Sequence, residues 1–253
     1  MPASIPLLLL LALAVMVVVH VVVPKTRPVL WKVSAGFGVV MLGLLMYLGM
    51  FYAPPEAFMS NVGRILYVHV PYIWMAFIAF LMNVGCAFAY LMKKSWVTDA
   101  LAESSAEVGV MFGAVGVAMG SIWARPTWGV WWDWDPRLIS TTVMLLSYVG
   151  YLALRSFTED PERRATWSAA VGILSGVSLP ITYYSVRWWN SLHQVQSSTA
   201  SVDKTMGSVL LWGLVTLLCF LFPFIVKRYE IARARQTAAM ELPPLEAPRP
   251  EAA

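Results

Sequence analysis

Residues Leu66–Met92 read L-Y-V-H-V-P-Y-I-W-M-A-F-I-A-F-L-M-N-V-G-C-A-F-A-Y-L-M, with no Asp, Glu, Lys or Arg among them. About 20 apolar residues cross a hydrocarbon core as a helix, so this run is long enough to span a membrane. Six further stretches are of the same kind: Ile5–Val23, Val33–Tyr52, Ser105–Trp123, Leu138–Leu154, Trp167–Tyr184 and Gly207–Val226. Strand-type alternation is absent, which argues against an outer-membrane barrel. The whole chain agrees, with 59% hydrophobic and 13% charged residues among 253, where a soluble domain carries about 25% charge. The fold class that follows is all-α, a polytopic transmembrane helical bundle.

Lysine and arginine set the orientation, because cytoplasmic connections collect them. Lys25, Arg27 and Lys32, then Lys93 and Lys94, then Arg155, Arg163 and Arg164, then Lys227, Arg228, Arg233 and Arg235 make twelve on one side. Arg64, Arg125, Arg137, Arg187 and Lys204 make five on the other. The first set is read as cytoplasmic, so the connections around Trp131 and Trp189 face the periplasm. The first apolar run has a second reading, as a secretory signal. No basic segment precedes Ile5, no A-x-A site follows it, and Lys25, Arg27 and Lys32 would then begin outside. An uncleaved extra N-terminal helix is therefore expected, followed by a basic linker, over residues 1–32. Residues 33–226 form the main membrane domain, and residues 227–253 a cytoplasmic tail. From Gln236 that tail is rich in Pro, Ala and Glu and is expected to be disordered.

Several classes fall away. Cys86 and Cys219 lie inside spans without a partner and read as small apolar residues. No C-x-x-C-H occurs, so the chain is not itself a c-type cytochrome. No G-x-x-x-x-G-K-[ST] occurs, so nucleotide energy would have to come from a partner. The net charge of +4 reflects cytoplasmic connections and gives no sign of nucleic-acid binding.

The densest chemistry lies in W123-A-R-P-T-W-G-V-W-W-D-W-D-P-R137, with five tryptophans and two aspartates in fifteen residues. Pro126, Gly129 and Pro136 do not suit a core helix. An interfacial aromatic belt needs neither Asp133 nor Asp135, and a water-exposed loop rarely shows so many large apolar faces. The stretch reads as a platform at the membrane surface for a flat, largely apolar ligand. Asp133 and Asp135 are expected to cap a helix opening near Pro136, or to orient Arg137 and tryptophan N–H groups.

Three histidines exist. His20, alone in the first span, reads as a structural residue. His69 and His193 fall at one depth on the periplasmic side, each bordered by aromatics. Each is either a hydrogen-bonded structural histidine or an iron ligand, for which neutral imidazole is suited. Two imidazoles on opposite faces of a porphyrin make a six-coordinate site. Tryptophans covering the macrocycle add about 0.5–1.5 kcal/mol per aromatic pair. Arg125, Arg137 and Arg187 are either propionate partners or interfacial anchors.

With those residues in view, W123–L138 resembles the tryptophan-rich signature of the haem-handling membrane proteins of cytochrome c maturation. Y67-V-H-V-P71 resembles their first histidine motif and L179-P-I-T-Y-Y-S-V-R-W-W-N-S-L-H-Q194 the second. Three motifs in order, over about Val33–Val226, point to the CcmC family within that group. The resemblance implies six family spans, to which the first helix is an addition. It implies His69 and His193 as axial ligands of a transient, non-covalent b-type haem. It makes Trp123, Trp128, Trp131, Trp132, Trp134, Asp135 and Arg137 the contacting platform, with Arg187 beside them.

The function implied is to hold haem on the periplasmic face of the bacterial inner membrane and load it onto the haem chaperone CcmE. CcmD and the ABC-type subunits CcmA and CcmB are the implied partners. Such a protein is a carrier and loading platform rather than a turnover enzyme. The alternative is a CcsA-type cytochrome c synthase acting directly on apocytochrome. Members of that type carry a further histidine pair within the membrane, which His20 alone does not supply. A haem translocator would need ligating groups at mid-depth, and a pure scaffold would need no haem.

Overall fold

The computed structural model describes residues 4–193 and 203–241, and within them the secondary structure is almost wholly helical. In chain order the helices are α1 (Ser4–Val22), α2 (Arg27–Tyr47), α3 (Leu66–Lys93), α4 (Trp96–Trp128), α5 (Pro136–Phe157), α6 (Pro161–Gly176), α7 (Ser178–Trp188) and α8 (Lys204–Glu241). α2 closes in a π-turn, Leu48–Tyr52, and a 3₁₀ turn, Asn61–Ile65, leads into α3. α6 and α7 form one span broken at Val177. Seven segments among the described residues are long and apolar enough to cross a membrane.

The helices outrun the apolar patterns at several ends. α4 continues through Pro126 to Trp128, so the opening part of the tryptophan stretch, Trp123–Trp128, is helix where an irregular platform was expected. Beside the proline, Thr127 donates its hydroxyl to the Trp123 carbonyl at 2.8 Å. The stop comes at Gly129, whose φ of 79° is a left-handed C-cap that suits glycine. α8 runs 38 residues, about 57 Å, against a hydrocarbon core of about 30 Å. Residues 236–241 thus continue a helix, contrary to the expected disorder from Gln236. Residues 242–253, also assigned to that tail, lie outside the described residues.

α3 and α4 make the closest pair. Gly109, Gly113, Gly116 and Gly120 repeat every three or four residues along α4, the small-residue pattern that lets membrane helices approach. A Cβ on Gly109 would stand 2.5 Å from Phe80 Cε1, and one on Gly116 would stand 2.5 Å from Ile73 Cδ1. Phe80 stacks on Tyr148 of α5 with centroids 3.8 Å apart. Asn83 donates to the Ala102 carbonyl at 2.7 Å inside the same core. α2 closes on α8 through Ser34, which donates to the Cys219 carbonyl at 2.9 Å. α1 is the least buried helix. Leu9, Leu10 and Leu13 reach the core, and Arg27 caps its C-terminus by donating to the His20 and Val21 carbonyls.

The two ends of the bundle differ. At the basic end, Asp99, Glu103 and Glu107 occupy one face of α4 at four-residue spacing. Arg155 of α5 makes two bonds to Asp99, at 2.7 and 3.0 Å, and one to Glu103 at 2.8 Å. Gln236 of α8 adds a bond to Asp99 at 2.7 Å, and Arg228 pairs with Glu107. These contacts explain why α8 stays helical past its apolar run. At the other end stand His69, the tryptophan connection and residues 190–193. His20 belongs to neither cluster, packing edge-on against Phe222 at 5.1 Å.

Three outcomes follow. Arg155→Ala leaves the Asp99 carboxylate buried without its cation and is expected to cost about 3–5 kcal/mol, read as a fall in melting temperature in detergent. Pairing Arg155→Met with Asp99→Leu removes both charges and is expected to recover most of that loss. Gly109→Val forces Phe80 away and is expected to cost about 1–3 kcal/mol in the same assay.

Candidate functional site

His69 lies one turn inside α3, on the face that meets α4. Its Nδ1 stands 3.0 Å from the Gly116 carbonyl oxygen. A carbonyl only accepts, so Nδ1 carries a proton, and in the neutral ring Nε2 keeps its lone pair. Gly120 makes room for the ring: a Cβ there would stand 3.0 Å from His69 Cε1. Trp123, the next residue of that face, meets the imidazole edge-on with centroids 5.6 Å apart. The indole Nε1 of Trp123 is buried and has no hydrogen-bond partner.

His193 comes to the same place from the far end of the chain. Trp128 of α4 meets its ring edge-on at 5.0 Å. The two imidazoles thus flank one helix, beside tryptophans five residues apart, or about 7.5 Å along the axis. They lie within electrostatic range of each other and of Arg137. Burial pushes the His193 imidazole below its usual pKa, a shift that the nearby Asp135 carboxylate opposes. The neutral form is therefore favoured near neutral pH.

Asp135 is the centre of this end. It is 4% exposed and N-caps α5, accepting from the Arg137 N–H at 2.8 Å. It also accepts from the Ser191 hydroxyl at 3.1 Å and the Leu192 N–H at 2.6 Å. Its Oδ1 stands 3.4 Å from His193 Nδ1. Burial would raise this carboxyl's pKa, but the donors Ser191, Leu192 N–H and Arg137 N–H, with His193 beside them, hold it below the usual range. Of the two roles expected for Asp133 and Asp135, capping the helix at Pro136 or orienting Arg137 and tryptophan N–H groups, Asp135 takes the first. The link to residues 191–193 was not legible, because 56 residues separate its ends.

The remaining candidates divide. Trp123 and Trp128 touch the imidazoles. Trp132 and Trp134 pair with each other at 6.4 Å, and Trp131 and Trp134 are exposed. Arg137 donates through Nη1 to the Thr182 and Tyr183 carbonyls at 2.9 and 3.2 Å, tying the start of α5 to α7. Arg125 donates to the Gly129 carbonyl and so caps the end of α4. Arg187 is exposed, its guanidinium 5.8 Å from the Tyr184 ring centre. Gly116, Gly120 and Ser191 shape the site and were missed. The G-x-x-x-G spacing of Gly116–Gly120 was the signal for the first two, whereas Ser191 carried none.

The arrangement offers two neutral imidazoles, an orphaned indole donor, broad aromatic faces and a cation. Among the described residues no group of three or more His, Cys, Asp or Glu side chains could hold a bare metal ion. A planar metal complex that brings its own equatorial ligands is what two imidazoles suit.

Residues 6–241 match the family model described as CcmC, heme exporter protein C. The matched range includes nearly all of α1. Heme exporter protein C of Escherichia coli K12 is 37% identical over 187 residues, covering 73% of this chain and 75% of that protein. The Bradyrhizobium diazoefficiens protein of the same name is 32% identical over 189 residues, covering 72% of each. That of Paracoccus denitrificans is 30% identical over 217 residues, covering 83% of this chain and 89% of that protein. With the match extending over almost all of the described helices, the chain belongs to the CcmC, or heme exporter protein C, family.

Proposed function

We propose that this protein holds haem as cargo at the tryptophan end of the bundle, with His69 and His193 as axial ligands. The observation that carries the reading is the pairing of the two imidazoles. Each stands edge-on to a tryptophan of α4, and each turns Nδ1 toward an oxygen, which leaves Nε2 for iron. A histidine that ligates a metal ordinarily has its other nitrogen facing a carboxylate or main-chain carbonyl. His69 Nδ1 is hydrogen-bonded to such a carbonyl, and His193 Nδ1 lies 3.4 Å from such a carboxylate. Trp123, Trp128, Trp131, Trp132 and Trp134 supply apolar faces for the macrocycle. The unpaired Trp123 N–H and the Arg137 charge suit the propionates. Arg187 adds a second cation on the same side.

The residues bind and orient the cargo, and exclude water from its iron. The bond-forming chemistry belongs to haem and the receiving protein, so the chain acts as a loading platform rather than a turnover enzyme. The excess of basic residues at the opposite end supports a periplasmic placement of the site in the bacterial inner membrane. The names of the relatives and the three sequence motifs support a place in cytochrome c maturation. On this reading the acceptor is the chaperone CcmE, and CcmD, CcmA and CcmB are the accompanying subunits. The haem is b-type, held without a covalent bond and only until transfer.

The test is an absorption spectrum, oxidised and dithionite-reduced, of detergent-purified protein expressed with CcmE. Wild type is expected to give a six-coordinate b-type spectrum, which His69→Ala and His193→Ala each lose, together with loading of the chaperone. A double variant that loads the chaperone normally contradicts the ligand assignment, and a colourless wild type contradicts haem binding.

A separate outcome concerns the space beside His69. Gly120→Val leaves both histidines in place but crowds the ring. It is expected to weaken haem retention in a dilution assay while changing the melting temperature of the haem-free protein little.

A further inference from the structure

The chain contains two Asp-Pro helix starts that serve as an internal comparison. Asp160 N-caps α6 and accepts from the Glu162 and Arg163 N–H groups, both at 3.3 Å. Its side chain is 49% exposed, and its hydrogen bonds stay within its own helix. Asp135 N-caps α5 with the same chemistry, yet its side chain is 2% exposed. It uses both oxygens across 56 and 57 residues of sequence, on Ser191 and Leu192. Capping explains Asp160 completely. It does not explain a buried carboxylate that reaches a second segment and stops opposite an imidazole nitrogen.

That nitrogen, His193 Nδ1, is buried and makes no hydrogen bond, although Asp135 Oδ1 is 3.4 Å away. Ser191 holds the geometry from both sides. Its hydroxyl donates to Asp135 and its oxygen accepts from the His193 N–H at 3.1 Å. Behind His69, by contrast, stands a neutral main-chain carbonyl. A carboxylate acceptor fixes the tautomer of an imidazole and raises its basicity as a ligand, and an ionised acceptor makes a hydrogen bond roughly twice as strong as a neutral one.

We infer that Asp135 is the positioning residue of His193. It selects the Nδ1–H tautomer, turns Nε2 toward the bound ligand, and makes His193 the more electron-donating member of an unequal pair. The inference rests on the haem reading above for its consequence, but not for the state of the ring.

The experiment therefore has two arms. The first uses haem-free, full-length protein labelled with ¹⁵N-histidine. Only three histidines are present, and His193→Ala assigns the signal of interest. Wild type is expected to show His193 with its proton on Nδ1. Asp135→Asn is expected to lose that preference, and Ser191→Ala, which leaves the carboxylate in place, to keep it. An unchanged tautomer in Asp135→Asn overturns the inference.

The second arm measures midpoint potential and haem retention on haem-loaded protein. Asp135→Asn is expected to stay six-coordinate, to shift to a more positive potential, and to retain haem about 10–100-fold less tightly. An unchanged potential overturns the inference. So does collapse of Asp135→Asn to the spectrum of His193→Ala, which would make Asp135 a clamp on the segment rather than a tuner of the ring. If wild type takes up no haem, the haem reading fails while the first arm still decides the tautomer.

Discussion

The close contact between α3 and α4 is the constraint from which the site follows. Gly109, Gly113 and Gly116 on one face of α4 let the two backbones approach, and the same face continues upward into Gly120 and Trp123. Without that approach His69 could not put Nδ1 against the Gly116 carbonyl, because any Cβ at Gly116 would meet Ile73. The tautomer of His69 is thus set by helix packing rather than by a dedicated side chain. Packing drives association here because lipid tails compete with apolar side chains and leave little hydrophobic gain between helices.

The second half of the site depends on a different device. His193 belongs to an irregular segment after α7, where no helix ladder holds the backbone. Asp135 supplies the missing order by joining the start of α5 to residues 191 and 192, while Arg137 ties the same helix start to α7. One imidazole is therefore placed by a rigid helix pair and the other by a hydrogen-bonded knot. The acidic face of α4 and Arg155 do at the basic end what Asp135 does here, fastening elements that apolar contact alone leaves loose. α4 takes part in both arrangements and is the common frame of the molecule.

Much of this was legible in the sequence, for physical reasons that can be named. Apolar runs such as Leu66–Met92 announce spans because a bilayer demands satisfied backbone over a fixed thickness. His69 and His193 stood out because both fall at one depth on the side of the tryptophan stretch, each bordered by aromatics. The tryptophan stretch was legible as a surface but not in its form, since α4 passes Pro126 and ends only at Gly129. The tail was misread from Gln236 because that residue's partner, Asp99, lies on another helix. Local composition carries no record of a contact made across 137 residues. The same limit hid the tie between Asp135 and Ser191.

The proposed site requires that one iron be held by both histidines. Electron–nuclear hyperfine spectroscopy on the ferric, haem-loaded protein, prepared with ¹⁵N-histidine, counts the histidine nitrogens on that iron directly. Two are expected on this proposal, falling to one in His69→Ala and in His193→Ala. A wild-type iron bearing one histidine nitrogen or none would contradict it.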